Sequence, residues 1–205
     1  MGRGCFITFE GIDGCGKSTQ IRYLTSYLEE HGRDHLLLRE PGGTVIGEGI
    51  RNILLDKKNT GMTAMTELLL FEAARAQIVS EVIIPAVESG KIVICDRFFD
   101  STSAYQGFAR NMGSEVVEEL NSLATGGFEP DITFLLDISP EEALSRRVAR
   151  GDEDRIEKLG MEFQEKVREG YLELARNSSR IVKIDGTRSP EDTSAEILAC
   201  LEGYI

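Results

Sequence analysis

The chain is short of positive charge. Its 205 residues include 23 Lys and Arg against 35 Asp and Glu, a formal net charge of −12. A long polyanion is therefore a poor partner, because nucleic-acid binders carry a basic footprint. A small nucleotide stays possible, since a local cradle can be positive on an acidic protein. Cysteine is scarce: Cys5, Cys15, Cys95 and Cys200 form no CxxC and no paired spacing. They read as reduced core or loop thiols of a cytoplasmic protein. An apolar run of membrane length is missing, as are the n-region and h-region of a secretory signal, so neither a span nor a leader is expected. No repeat, low-complexity tract or linker divides the chain, and its length suits a single α/β domain over residues 1–205.

What is present is alternation. Apolar β-rich runs recur at Cys5–Phe9, His35–Leu38, Ile92–Cys95, Ile132–Leu136 and Ile181–Ile184, with helical stretches between them. Parallel neighbours need crossover helices, and strands buried on both faces become continuous apolar runs, so the pattern predicts a parallel sheet covered on both sides. Helices are expected at about Lys17–Glu30, Thr63–Glu88 (kinked or ended by Pro85), Ser114–Ala124, from Pro140 onward, Met161–Arg176 and Pro190–Leu201. The last two read as structural, with Tyr171 and Leu174 buried.

Between the first run and the first helix, Gly11, Gly16, Lys17 and Ser18 stand at the spacing GxxxxGK[ST], in the strand-loop-helix context that this phosphate cradle requires. Glycines let successive N–H groups point inward, and the helix adds its positive end. Lys17 would reach the β- and γ-phosphates and Ser18 would ligate Mg²⁺. The bland alternative, a Gly-rich turn, needs every one of these features to coincide. Cys15, inside the loop, is more simply a small tolerated residue than a redox group.

Further on, the strand Lys91–Cys95 ends in Asp96-Arg97. A carboxylate at the tip of a strand beside a phosphate loop can hold Mg²⁺ through water, and Arg97 could bridge donor and acceptor phosphates; the alternative is a surface ion pair. The loop Arg39-Glu-Pro-Gly-Gly-Thr44 is either a plain turn or a substrate loop at a strand's carboxyl end. Phe71 and Arg75 share a helix face; taken alone, they would be a core ring and a solvated cation. Asp100–Gly107 is polar and aromatic, suited to a recognition surface. The arginines Arg146, Arg147, Arg150 and Arg155, over residues 146–157, suggest either a flap closing over phosphates or a solvated helix end. Asp185–Ser189 could border a nucleotide base.

Two classes fit a phosphate loop: a nucleotide switch and a small-molecule kinase. No Asn-Lys-x-Asp tetrapeptide is present and the third strand ends in Asp96-Arg97 instead of Asp-x-x-Gly, which with the late arginines favours transfer to a bound acceptor. Phe9–Thr19, Arg39–Thr44, Phe71-Glu-Ala-Ala-Arg75, Asp96-Arg97, Ala104-Tyr-Gln-Gly107 and Arg150–Glu157, in that order, closely resemble thymidylate kinases. The resemblance implies a five-stranded parallel sheet of the P-loop NTPase fold with an arginine-containing lid, a homodimer, and Mg²⁺-dependent transfer of the γ-phosphoryl group of ATP to dTMP in dTTP synthesis; the long Thr63–Glu88 helix is our own expectation for part of the dimer interface. By the same resemblance, Gly11, Ile12, Asp13, Gly14, Cys15, Gly16, Lys17, Ser18 and Thr19 hold ATP, and Ser18 and Asp96 the metal. Asp13 also approaches the acceptor sugar's 3′-hydroxyl. Arg51 and Arg97 hold the acceptor phosphate; a substrate role for Arg39 rests instead on its loop's place at the strand's carboxyl end. Phe71 stacks on thymine, Arg75 donates to O4, Thr102 approaches N3, and Tyr105, with Gln106 next to it, crowds the sugar's 2′ position. Ile12, Asp13, Gly14 and Cys15 bring no cation into the loop, so the transition-state arginine must come from the flap: Arg150 first, Arg155 second, Arg146 and Arg147 after them.

Overall fold

The computed structural model describes residues 3–148, 155–156 and 159–205. The five apolar runs become β1 (Phe6–Glu10), β2 (His35–Arg39), β3 (Ile92–Asp96), β4 (Ile132–Asp137) and β5 (Ile181–Asp185). They form one sheet in the order β2-β3-β1-β4-β5, every pairing parallel. Each strand runs one residue beyond its apolar stretch, and the extra residues are Glu10, Arg39, Asp96, Asp137 and Asp185. The ladder is a backbone property and does not stop where apolar side chains do. Five charged groups are thereby set along the carboxyl edge, where ligands of open α/β sheets bind.

Successive strand side chains alternate between faces. Ile7, Phe9, Ile94, Phe134 and Leu136 pack in one cluster with Leu24, Leu28, Val167, Ile197 and Leu201. Phe6, Val93, Cys95 and Phe98 pack in another with Ile78, Val79, Ile83 and Val87. The first face is covered by α1 (Lys17–Glu30), α8 (Met161–Asn177) and α9 (Pro190–Leu201), the second by α3 (Ala64–Ile78) and α4 (Ile84–Glu88). Among the described residues, no helix is long and apolar enough to cross a membrane.

Three local features depart from the sequence expectation. Helix α2 (Val45–Leu55) was not foreseen, because Gly47, Gly49 and the β-branched Val45, Ile46 and Ile50 are weak helix formers. Its start is fixed by Thr44, whose side chain accepts from the Gly47 N–H at 2.9 Å. The helix expected over Thr63–Glu88 is three pieces: α3, a π-helical turn Val79–Ile83, and α4 with Pro85 in its first turn. A proline ring would collide with the carbonyl four residues earlier, and a widened turn just before it removes that clash. Finally, Asp100–Gly107 is not an open outer surface, although Ser101, Thr102, Tyr105 and Gln106 face the cavity described below. It forms the short α5 (Phe99–Thr102) and the start of a π-helical segment, Ser103–Ala109, with Asp100, Thr102, Ala104, Tyr105 and Gln106 buried. Helix α8 lies against it so closely that a Cβ on Gly170 would stand 2.8 Å from the Phe108 Cβ.

Candidate active site

A cavity of about 500 Å³ opens among the loops that join strand ends to helices, with Ser18, Asp96 and Arg97 on its wall. One side is the phosphate loop. Gly11, Gly14 and Gly16 have φ of 131°, 96° and 108°, values that side chains rarely tolerate. A Cβ on Gly11 would also stand 2.6 Å from the Leu136 carbonyl oxygen. Gly16 caps α1 without a side-chain hydrogen bond, so first-turn N–H groups get no side-chain cap and suit an anion. Lys17 arches over the loop, its Nζ donating to the carbonyls of Gly11 (2.9 Å) and Ile12 (3.3 Å). Asp13, Gly14, Gly16, Lys17, Ser18 and Thr19 line the cavity. Gly11, Ile12 and Cys15 do not; the last two are buried in the core, which supports the reading of Cys15 as a small packed residue.

Arg97 holds the middle of the site. Its φ of 72° is left-handed, a costly conformation that persists only when surrounding contacts hold it. They do. Nη1 donates to Ser101 Oγ and Tyr171 Oη, both at 2.9 Å, and Nη2 donates to Asp13 Oδ1 at 2.8 Å and Tyr105 Oη at 3.3 Å. Beneath it is Glu10: Oε1 accepts the Phe98 N–H at 2.7 Å, and Oε2 accepts from Ser101 (2.6 Å) and Tyr171 (2.8 Å). Burial, with Asp100 nearby, pushes the Glu10 carboxyl up to about 7 against the opposing pull of Arg97. Burial works against the Arg97 cation too, but Tyr105 and Asp13 hold its pKa well above the usual value. Tyr171, expected to be structural, is buried and also part of this network.

Arg75 reverses its first reading. It is not solvated; it is 1% exposed, the largest fully buried side chain. Nε donates to Glu40 Oε2 (2.9 Å), Nη1 to Glu72 Oε1 (2.5 Å) and Asn121 Oδ1 (3.1 Å), and Nη2 to Thr102 Oγ1 (2.9 Å). Burial would lower its pKa, yet Glu40 and Glu72 hold it above the ordinary value. Burial in turn raises the Glu40 carboxyl to about 7. Glu40 Oε1 and Glu72 Oε2 are buried without a hydrogen-bond partner. Phe71, half-buried, and Thr102, Tyr105 and Gln106 line the cavity beside Arg75, so the helix face carrying Phe71 and Arg75 does border the phosphate loop's cavity.

On the β2 side, Arg39 pairs with both oxygens of Glu48, at 2.9 and 3.0 Å, and Arg51 Nη1 donates to the Pro41 carbonyl at 3.0 Å. Both arginines line the cavity. Of the predicted flap, Arg150 lies outside the described residues, as does the side chain of Arg147. Arg146 bonds to Glu142 and to the Gly186 carbonyl. Gly186 approaches the phosphate loop from β5: a Cβ there would stand 3.3 Å from the Cys15 carbonyl oxygen. Arg155 does not line the cavity and is bonded to Glu67 and the Leu54 carbonyl.

Among the described residues, no group of three or more His, Cys, Asp or Glu could hold a metal alone. Ser18 and Asp96 share the cavity wall. One hydroxyl and one carboxylate, both hard oxygen donors, fit a cation that takes its remaining ligands from phosphates and water, the habit of Mg²⁺.

Sequence reasoning missed Glu10, Glu40, Glu67, Glu72, Ser101 and Asn121. Glu10 had a signal, an acid ending an apolar strand just as Asp96 does. Glu72 had one too, standing three residues before Arg75 on the same helix, whereas Asn121 meets Arg75 only because the chain folds.

The chain matches the family model described as thymidylate kinase over residues 9–197. It is 49% identical over 204 residues to a thymidylate kinase of Thermoanaerobacter sp. (strain X514), covering 99% of this chain and 100% of the relative. It is 51% identical over 201 residues to a thymidylate kinase of Symbiobacterium thermophilum (98% and 94% covered), and 46% identical over 206 residues to one of Chlorobaculum parvum (96% and 94% covered).

Proposed function

The chain belongs to the thymidylate kinase family, and from that premise we propose how its cavity carries out the reaction, the transfer of the γ-phosphoryl group of ATP to dTMP to give dTDP and ADP. The observation that carries the reading is that one continuous cavity has the phosphate loop on one side and Phe71 and Arg75 on the other, with Arg97 between them. Two nucleotides can meet there phosphate to phosphate.

On the donor side, Lys17 and the N–H groups of the loop bind the ATP phosphates. Ser18 and Asp96 would hold Mg²⁺, which would supply positive charge against the charge of the transferring phosphates. On the acceptor side, Arg97 and Arg51 bind the phosphate of dTMP. Arg97 is already ordered by Asp13, Ser101 and Tyr171, so little freedom is lost when the acceptor docks. Asp13 positions Arg97 and the 3′-hydroxyl. No strong base is needed, since a phosphate monoester with a second pKa of about 6 is largely dianionic near neutral pH.

Phe71 stacks on thymine. Arg75 donates to O4 by sharing Nη2 hydrogens now directed at Thr102 and Glu40, and Thr102 meets the N3 edge. Tyr105 occupies the space a 2′-hydroxyl would need. Charge developing on the γ-phosphoryl group is met by Arg150, because Arg155 is committed elsewhere. A homodimer is supported by an apolar stripe on α3, Met65, Leu69, Ala73 and Ala76, exposed and at helical spacing. A cytoplasmic setting is supported by the free, buried thiols of Cys5, Cys15 and Cys95.

The test is a coupled ADP-release assay with ATP and Mg²⁺ against a panel of nucleoside monophosphates. Turnover should be greatest with dTMP. Turnover confined to AMP or CMP, or equal release with no acceptor, would overturn the reading.

A further inference from the structure

Glu67 is a carboxylate that the mechanism above does not use, yet it is as deeply buried as the core. It stands in the first turn of α3, where an acid is favourable toward the helix dipole without any need for burial. Its two oxygens accept four bonds from three side chains. Gln106 Nε2 lies at 2.8 Å, Arg110 Nη2 and Nε at 3.1 and 3.3 Å, and Arg155 Nη2 at 2.5 Å. Burial pushes this carboxyl up, but the bonds from Gln106, Arg155 and Arg110 outweigh it and hold the pKa below its usual value.

Arg155 has a second anchor. Its Nε donates at 2.8 Å to the Leu54 carbonyl, in the last turn of α2, where carbonyls lack partners within the helix and a cation is favoured. Apart from Arg110, the members of this cluster adjoin the cavity wall: Leu54 precedes Leu55, Glu67 is one turn before Phe71, Gln106 follows Tyr105 and itself lines the cavity, and Arg155 precedes the buried Ile156, with Leu55, Phe71, Tyr105 and Ile156 also lining it.

We propose that Glu67 is a positioning residue for the acceptor nucleoside: by anchoring Arg155 and Gln106 it holds Ile156 and Tyr105 against the pocket for base and sugar, and Arg155 is a latch, not the arginine of the transition state. Releasing Arg155 to a phosphate would strip the buried Glu67 of one of its two cations and leave a helix-end carbonyl open. The inference rests on the reading that dTMP occupies this cavity.

The experiment measures steady-state kinetics and equilibrium dTMP binding for Glu67→Gln, Arg155→Ala, the double variant, Ile156→Ala and Phe71→Ala, with thermal melting alongside. One guanidinium bond weakened in a desolvated cluster corresponds to roughly a tenfold change. Glu67→Gln and Arg155→Ala are therefore each expected to raise KM and Kd for dTMP roughly tenfold, with kcat within about threefold and KM for ATP unchanged. The double variant should be no worse than the worse single, since both cut one linkage. Ile156→Ala, which spares the ion pairs, should reproduce the KM shift with a smaller loss of melting temperature, and decides the matter if Glu67→Gln does not fold. A kcat loss of ~10³ in Arg155→Ala with dTMP affinity intact would make Arg155 a transition-state group and overturn the proposal. So would multiplying effects in the double variant, or unchanged dTMP affinity in both Glu67→Gln and Ile156→Ala. If Phe71→Ala leaves dTMP binding untouched, the pocket reading itself has failed; if only the Glu67, Arg155 and Ile156 variants do so, the latch alone has failed.

Discussion

The two halves of the cavity are built by opposite means. The donor half is backbone: three glycines at positive φ, a bare helix start and one lysine, all within Gly11–Ser18. The acceptor half is side chain, with Arg75 alone drawing on Glu40, Glu72, Thr102 and Asn121. A phosphate is the same in every nucleotide and can be met by generic N–H groups. A pyrimidine must be told from other bases, which takes polar groups in fixed directions that leave something unpaired when the wrong ligand enters. Fixing those directions without water is why the acceptor half is buried and charged, and why its cost falls on stability.

That contrast can be broken at several points. Arg150→Ala should lower kcat by ~10³ with KM for dTMP nearly unchanged, as expected of an arginine that acts only in the transition state; single-turnover kinetics will show it, and wild-type turnover would remove the assignment. Lys17→Ala, which deletes the phosphate loop's lysine, should cost roughly 10²–10³ in kcat/KM and raise KM for ATP as well, leaving melting temperature little altered. Arg75→Leu should weaken dTMP binding and, unlike Lys17→Ala, also cost stability. Removing one partner of a buried ion cluster costs about 3–5 kcal/mol because the charges left behind are uncompensated, so urea unfolding should shift strongly. Tyr105→Ala should mainly relax the preference for deoxyribose, by roughly tenfold in relative kcat/KM for the ribonucleotide, as one group's steric exclusion is lost.

The smallest effect is in pH. Burial raises the carboxyls of Glu10, facing Asp100 and Arg97, and of Glu40, facing Arg75 and Glu72, to about 7 in the fold. Between the unfolded value near 4.5 and about 7, the folded state holds protons that the unfolded chain has released. Stability from these two groups is then complete below that window and is lost as pH rises through it. Glu40→Gln should flatten the fall of melting temperature between pH 5 and 7; an unchanged slope would mean that Glu40 is ionised throughout.

The same contrast explains what could be read from the chain. The phosphate loop is contiguous, and its glycine spacing states its geometry. All five strands were readable because apolar runs mark burial, though each ends one residue later than its run. Helix α2 was invisible because its reasons lie in a cap at Thr44 and in packing, against poor local propensity. Resemblance supplied Phe71, Arg75 and Arg97 as site residues, but not what holds them. Arg75 meets Asn121 across 46 positions and Arg97 meets Tyr171 across 74; no periodicity encodes such a meeting. Glu10 is the exception, since a lone acid closing an apolar strand beside a glycine loop is legible once one looks for it.

A crystal structure with dTMP, Mg²⁺ and a non-hydrolysable ATP analogue tests the central claim most directly. The account predicts thymine on Phe71 beside Arg75, the dTMP phosphate on Arg97, and the analogue's γ-phosphate between Lys17 and that phosphate. Thymine bound away from Phe71, or the two phosphates held on separate surfaces, would contradict it.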